Sequence, residues 1–302
     1  MFSQFFSIFF NVVTPVFALI LIAFFLGKRL GIHSRSLSRT SYYLLVPAFV
    51  FNVLSQVKID AVTAFRMMVG IGLVYMVTGL LGWTLARGMG RSKEIATAFL
   101  MTCVFGNVGN YGLALTKFCL GSGSMESATI YMLTANTFSF FCCVMAAGWL
   151  NGGGTGALRG LIKTPGITIV PLALVFPVAG IEPPIMVQRI AGLLGDAMIP
   201  VLLLALGLQL KEAGKLNFGV DVFGASLIRL IAGPVIAFAV IPLVGISGIE
   251  ASAGMLQSAM PSAVLTAIIA MENNVAPTFV TSVICVSTVL SLVTLTVVMS
   301  FL

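Results

Sequence analysis

Apolar run follows apolar run along almost the whole chain, each close to the ~20 residues a helix needs to cross a hydrocarbon layer. Ten such segments are legible, bounded by charges or by Gly, Pro and Asn: roughly 5–27, 37–56, 66–87, 94–118, 125–150, 164–180, 185–210, 219–243, 249–271 and 277–301. They leave no room for a soluble domain. Only 8% of residues are charged and 59% are hydrophobic, against ~25% charged in ordinary globular proteins. A water-soluble enzyme or binding module is excluded. Backbone groups cannot stay unpaired in lipid, so runs of this length predict an all-α membrane protein with ten transmembrane helices. The first run, Phe5–Gly27, has no positive stretch ahead of it and its charges, Lys28 and Arg29, follow it; it reads as a span rather than a cleaved leader.

Charge orients the spans. The net charge of +7 does not mark a nucleic-acid surface, because the basic residues sit in connectors rather than along one face. With ten spans the connectors alternate between two sides. One side collects Lys28, Arg29, Arg35, Arg39, Arg87, Arg91, Lys93, Arg159, Lys163, Lys211 and Lys215; the other has only Lys58, Arg66, Lys117 and Arg189. The richer side is expected to be cytoplasmic, with both termini outside an inner or plasma membrane. The five cysteines (Cys103, Cys119, Cys142, Cys143, Cys285) fall inside apolar runs, without CxxC pairing or a nearby histidine, and read as small hydrophobes. No metal and no cofactor is called for.

The halves repeat. Leu45-Val-Pro47-Ala-Phe-Val matches Met198-Ile-Pro200-Val-Leu-Leu, and Gln56-Val-Lys58 matches Gln209-Leu-Lys211, both at an offset of 153. Thr14-Pro15-Val-Phe-Ala-Leu resembles Val170-Pro171-Leu-Ala-Leu-Val at 156, and interruptions near Asn107 and Pro261 lie 154 apart. Five spans per half is an odd number, so the second half runs through the bilayer in the opposite sense. The expected organisation is one inverted repeat over 1–150, a cytoplasmic Gly-rich linker over 151–163 (opening Asn151-Gly-Gly-Gly-Thr-Gly), and a second repeat over 164–302. Inverted five-helix repeats characterise secondary transporters.

Spans four and nine are broken. Phe105-Gly106-Asn107-Val108-Gly109-Asn110-Tyr111-Gly112 carries three glycines and two asparagines in the seven residues from Gly106; each glycine costs about 1 kcal/mol in a helix relative to alanine. Span nine breaks at Gln257-Ser-Ala-Met-Pro261-Ser262, where Pro261 removes a donor and Ser262 can satisfy neighbouring backbone. A break at membrane depth survives only when it lines a cavity or is packed by protein. One such break could be a packing kink; two at matching repeat positions favour a binding site. Two half-helix starts would then face one interior, each with roughly half a positive charge and free N–H groups, which suits a carboxylate. Asn107, Gly109, Asn110, Tyr111, Gln257, Pro261 and Ser262 are the candidate substrate-binding residues. Asn136, with Thr137 and Ser139 in span five, faces either the cavity or a neighbouring helix.

At these residues the chain resembles the auxin efflux carrier family. Gly106-Asn-Val-Gly-Asn-Tyr-Gly-Leu-Ala-Leu, Tyr131-Met-Leu-Thr-Ala-Asn136, Met260-Pro-Ser-Ala-Val-Leu-Thr-Ala and Pro200-Val-Leu-Leu-Leu-Ala-Leu-Gly-Leu-Gln-Leu carry the likeness, which covers nearly the whole chain. The family includes plant auxin exporters and bacterial malonate and malate permeases, and its fold is related to that of bile-acid sodium symporters. The resemblance implies a scaffold of spans 1, 2, 6 and 7, a transport core of the others, and spans 4 and 9 crossing at their breaks around the substrate. It also implies a homodimer through the scaffold. The large cytoplasmic loop of long plant exporters is missing, and Ala114 and Lys117 stand where related sequences often have proline and an apolar residue.

Few ionisable residues lie within spans. Asp196, one turn before Pro200, either carries a proton or cation during transport, burial raising its pKa, or lies nearer the outer surface, or hydrogen-bonds a neighbouring helix end. Arg229 is expected to snorkel to the cytoplasmic interface, and His33 to sit in a basic loop facing anionic lipid. Intramembrane enzymes need paired acids, a Ser–His or Ser–Lys set, or metal ligands at depth, and none is legible. The expected function is a secondary transporter for a small organic anion, working by alternating access. A sodium-coupled symporter, or a passive channel of the same fold, is the alternative.

Overall fold

The computed structural model describes residues 2–27, 29–151 and 164–302. The expected linker beyond Asn151, with Arg159 and Lys163, and Lys28 lie outside the described residues. Twelve helical segments follow in order: α1 (Phe5–Leu26), α2 (34–54), α3 (Ala61–Gly88), α4 (Lys93–Val104), α5 (108–120), α6 (Met125–Asn151), α7 (Pro165–Ala179), α8 (Ile185–Lys211), α9 (Val220–Leu243), α10 (Gly248–Ser258), α11 (Val264–Glu272) and α12 (Pro277–Met299). Among the described residues six are long and apolar enough to cross a membrane: α1, α3, α8, α9, α12 and Ser122–Leu150, which contains most of α6. α2 carries Arg35 and Arg39, α7 is shorter, and α4–α5 and α10–α11 are interrupted pairs at the predicted breaks.

Prolines widen three helices. The π-type turns Phe9–Val13, Ser41–Leu45 and Ile228–Ala232 each end two residues before a proline: Pro15, Pro47 and Pro234. A proline ring collides with the carbonyl four residues back, which in each case lies inside the widened turn, so the turn relieves the collision. α3 starts cleanly at Asp60, whose carboxylate accepts from the backbone N–H of Val62 and Thr63 at 3.0 Å each. Hydrogen bonds from the Thr63 side chain, then from the backbone, hold the Asp60 carboxyl below its ordinary 3.8.

Packing falls into two groups. α8 lies against α1 and α2, and α7 against α2; α3 packs on α4, α6 and α9, while α10 packs on α6 and α9, and α12 on α9 and α11. The groups meet where α8 touches the first turn of α5, where α1 touches α5 and α12, and where α2 touches α6. Connectors cluster at two ends. Ser34 N–H donates to Glu212, Arg91 pairs with Asp221 at 2.9 Å and Ala276 N–H donates to Glu94; at the other end Lys58 N–H donates to Glu126 and Arg66 to the Gly245 carbonyl. Large apolar side chains such as Val178, Leu193 and Leu243 are more than three-quarters exposed, a surface suited to lipid and not to water. This is an integral membrane protein.

α1 and α8 approach backbone to backbone at Gly207, where a Cβ would overlap the Ile20 carbonyl; small residues permit such contacts between membrane helices. Gly207→Ala is expected to destabilise by about 1–3 kcal/mol, lowering the melting temperature in detergent. Gly72→Ala, which meets nothing, should not lower it. Equal melting of the two variants would refute this packing.

Candidate functional site

α4 stops at Val104 and the chain runs non-helically through Phe105 (φ −100°, ψ 98°) and Asn107 (φ −79°, ψ 56°) before α5 begins. α10 stops at Ser258 and α11 restarts at Val264. The two interruptions lie against each other as a minimal antiparallel pair, Gly106 opposite Ser262. Asn107 N–H donates to the Pro261 carbonyl at 2.7 Å, and Ala263 N–H to the Phe105 carbonyl at 2.8 Å. Each break thus supplies partners that the other has lost, which is what membrane depth demands. Pro261, having no N–H, stands where only its carbonyl is used. Ser262 Oγ donates to the Thr102 carbonyl at 2.8 Å, and Ser262 N–H to Ser287 Oγ on α12 at 3.2 Å.

Arg229 does not snorkel. It is fully buried, aimed inward from the widened turn of α9. Its Nε donates to the Met260 carbonyl at 2.8 Å, Nη1 to the Cys103 carbonyl at 3.0 Å and Nη2 to the Tyr75 hydroxyl at 3.1 Å. The guanidinium lies 4.6 Å from the Tyr75 ring centre, and Tyr75 OH donates on to the Gln257 carbonyl at 3.2 Å. Carbonyls freed where α4 and α10 end need donors, and a planar five-donor fork serves several at once. Reading the arginine by its depth in its own helix overlooked its neighbours' demand. Two breaks short of donors, beside an arginine five residues before Pro234, were the available signal. Gly106 completes the fit: a Cβ there would overlap the guanidinium and crowd the Tyr75 hydroxyl.

Around the start of α5 the structure gathers Asn107, Gly109, Asn110 and Asn136. Asn107 is 4% exposed and its Nδ2 has no partner. The N–H groups of Gly109 and Asn110, in the opening turn, have no acceptor among the described residues. Both residues are half-buried, as is Asn136, which with Met132 faces Gly109 from α6. Tyr111 is committed elsewhere: its hydroxyl meets Ser291 Oγ at 3.3 Å, and its ring stands edge-on to Phe17 of α1 at 5.7 Å. Gln257 reaches from α10 to Thr116 of α5, donating from Nε2 at 3.3 Å, with Oε1 unpaired. Asp196 is exposed and makes no hydrogen bond or ion pair with the described residues. The burial expected of it is not found, because α8 turns Met198, Leu202 and Leu206 inward and leaves Leu193, Asp196 and Pro200 on the other side.

The family described as membrane transport protein matches residues 8–151 and 155–299. The chain belongs to the auxin efflux carrier family. This chain is 27% identical to an "Uncharacterized transporter" of Methanothermobacter thermautotrophicus, over 94% of its own length and 95% of the relative's. It is 26% identical to an uncharacterized transporter of Methanocaldococcus jannaschii, over 93% and 95%. A Rhizobium meliloti protein named "Putative malonate transporter" is 24% identical over 95% and 93%.

A polar cavity of about 400 Å³ opens among the connectors, lined by Lys58, Asp60, Thr63, Glu126, Ser247 and Glu250 among others. Sequence reasoning missed it, because three separate connectors contribute to it. For the crossover, Gly106→Ala is expected to unfold the protein or lower its melting point sharply, since displacing the guanidinium and the Tyr75 hydroxyl breaks their bonds to the Met260, Cys103 and Gln257 carbonyls. Gly109→Ala, whose Cβ would meet only Met132 and Asn136 at ordinary distances, should melt near wild type. A stable Gly106→Ala variant would contradict the arrangement.

Proposed function

We propose that this protein is a secondary transporter moving a small organic anion by alternating access, with the substrate held at the crossing of the two broken helices. The observation that supports it most is a set of unsatisfied donors at the start of α5: Asn107 Nδ2 and the N–H groups of Gly109 and Asn110. A helix start with free N–H groups attracts anions, and Asn110 and Asn136 add side-chain donors beside it. Pro261 and Ser262 lead into the second half-helix start of the same site, Gln257 joins α10 to α5 through Thr116, and Tyr111 ties the site to the scaffold through Phe17.

The reading takes the ten segments as two inverted repeats, 1–150 and 164–302, with α1, α2, α7 and α8 as a scaffold that dimerises and the rest as the moving core. Lys/Arg-rich connectors face the cytoplasm and both termini face outward. Asp196, an unpaired carboxylate on the scaffold, is the proton-coupling group. The name carried by the rhizobial relative places malonate on the list of acids to try.

The test is charge movement across proteoliposomes on rapid addition of mono- and dicarboxylates, with and without sodium and pH gradients. A saturable current is expected for at least one acid. Asn107→Ala and Asn110→Ala should each weaken apparent affinity by about tenfold or more, the loss of a hydrogen bond to a charged group, at unchanged melting temperature. Wild-type transport in both variants would remove the site from the crossover. Asp196→Asn should flatten the pH dependence of transport; an unaltered profile would make Asp196 a passive surface group. No current and no saturable binding for any acid would contradict the anion reading.

A further inference from the structure

Arg229 carries a charge that nothing around it matches in kind. Among the described residues no carboxylate lies within ion-pair distance of it; the one ion pair there is Arg91–Asp221, between connectors. Its two carbonyl acceptors share a location. Cys103 is in the last turn of α4, and Met260 follows the end of α10, whose Gln257 carbonyl takes the Tyr75 hydroxyl. These are the C-terminal ends of the two half-helices that stop at the crossing, and such ends carry roughly −0.5 of a charge each. One guanidinium therefore offsets both. What is left unbalanced is the pair of helix starts on the far side of the break, α5 and α11, at roughly +0.5 each. Here, among the described residues, Asn107 Nδ2 is buried without a partner, and the N–H groups of Gly109, Asn110, Val264 and Leu265 have no acceptor.

We propose that Arg229 is the positioning residue that sets the charge of the site, silencing the two helix ends so that the crossing presents about one net positive charge and selects a singly charged anion. The inference rests on the transport reading and deepens it. The ligand class is a monocarboxylate, or a dicarboxylic acid in its singly ionised form. A dianion leaves one negative charge uncompensated in a low-dielectric interior, and a neutral amide leaves the helix starts unmatched. Because a guanidinium does not deprotonate in the working range, this selectivity comes from the substrate's ionisation and not from the protein's.

The experiment compares three size-matched probes in wild-type proteoliposomes: a monocarboxylate, its neutral amide, and a dicarboxylate followed through its second ionisation. The monoanion should be preferred, and dicarboxylate transport, taken relative to the monocarboxylate at the same pH so that any proton coupling cancels, should track the singly ionised fraction, rising as pH falls through that ionisation. Arg229→Gln should shift the acid-over-amide preference toward the amide by about tenfold or more. Arg229→Lys keeps the charge but cannot span three acceptors; it should keep the acid preference at a lower maximal rate. If Arg229→Gln does not fold, the wild-type series and Arg229→Lys still decide. Equal transport of mono- and dianion, or an unshifted preference in Arg229→Gln, or a lost preference in Arg229→Lys, overturns this inference alone. A wild type that moves no acid overturns the transport reading and this inference with it.

Discussion

A polypeptide that interrupts two helices inside a membrane must find partners, in protein or in ligand, for the backbone groups it frees, and water is not there to provide them. In this protein the two interruptions meet those needs together where α4 and α10 end. Gly106 and Ser262 lie in a two-residue ladder, Asn107 and Ala263 donate across it, and Ser262 reaches back to Thr102. Of the carbonyls that remain, those of Cys103 and Met260 fall to Arg229, that of Gln257 to Tyr75 and that of Val104 to Ser139. Remove any of these contributors and the others lose their partners, so the crossing behaves as one unit rather than as two independent kinks.

The surrounding fold is arranged around that unit. α9 widens through a π turn and thereby carries Arg229 inward; Tyr75 of α3 lies flat under the guanidinium and relays a hydrogen bond to Gln257. α12 lends hydroxyls, Ser287 to Ser262 and Ser291 to Tyr111. With the helix ends satisfied this tightly, the starts of α5 and α11 keep free donors, and this asymmetry turns a structural repair into a candidate binding site. Tyr111 against Phe17, and α8 against the first turn of α5, place that candidate site at the boundary between the two packing groups.

The membrane class and the positions of both breaks were legible, because glycine, asparagine and proline in an apolar run have few other meanings there. Family membership was legible from the same motifs. The inverted repeat rests on offsets between weak matches such as Pro47 with Pro200, and α2 and α7 do not by themselves meet the length and hydropathy of a span. Arg229 was read wrongly because its partners are 31 and 126 residues away in sequence, and local periodicity carries nothing about demand on another helix. Asp196 lies in an apolar helix and shares Pro200's face, as read, but it is exposed rather than buried: the residues around it are apolar on every side, so the sequence held no signal for which side packs.

The central claim is that the crossing is closed at its helix ends and open to ligand at its helix starts. Amide hydrogen exchange resolves the two sides in one protein. The Asn107 and Ala263 amides, though outside helices, should exchange slowly without ligand. Saturation with the acid that gives the largest charge movement should then slow the Gly109, Asn110, Val264 and Leu265 amides. Fast exchange at Asn107 and Ala263, or ligand protection confined to other regions of the chain, would contradict it.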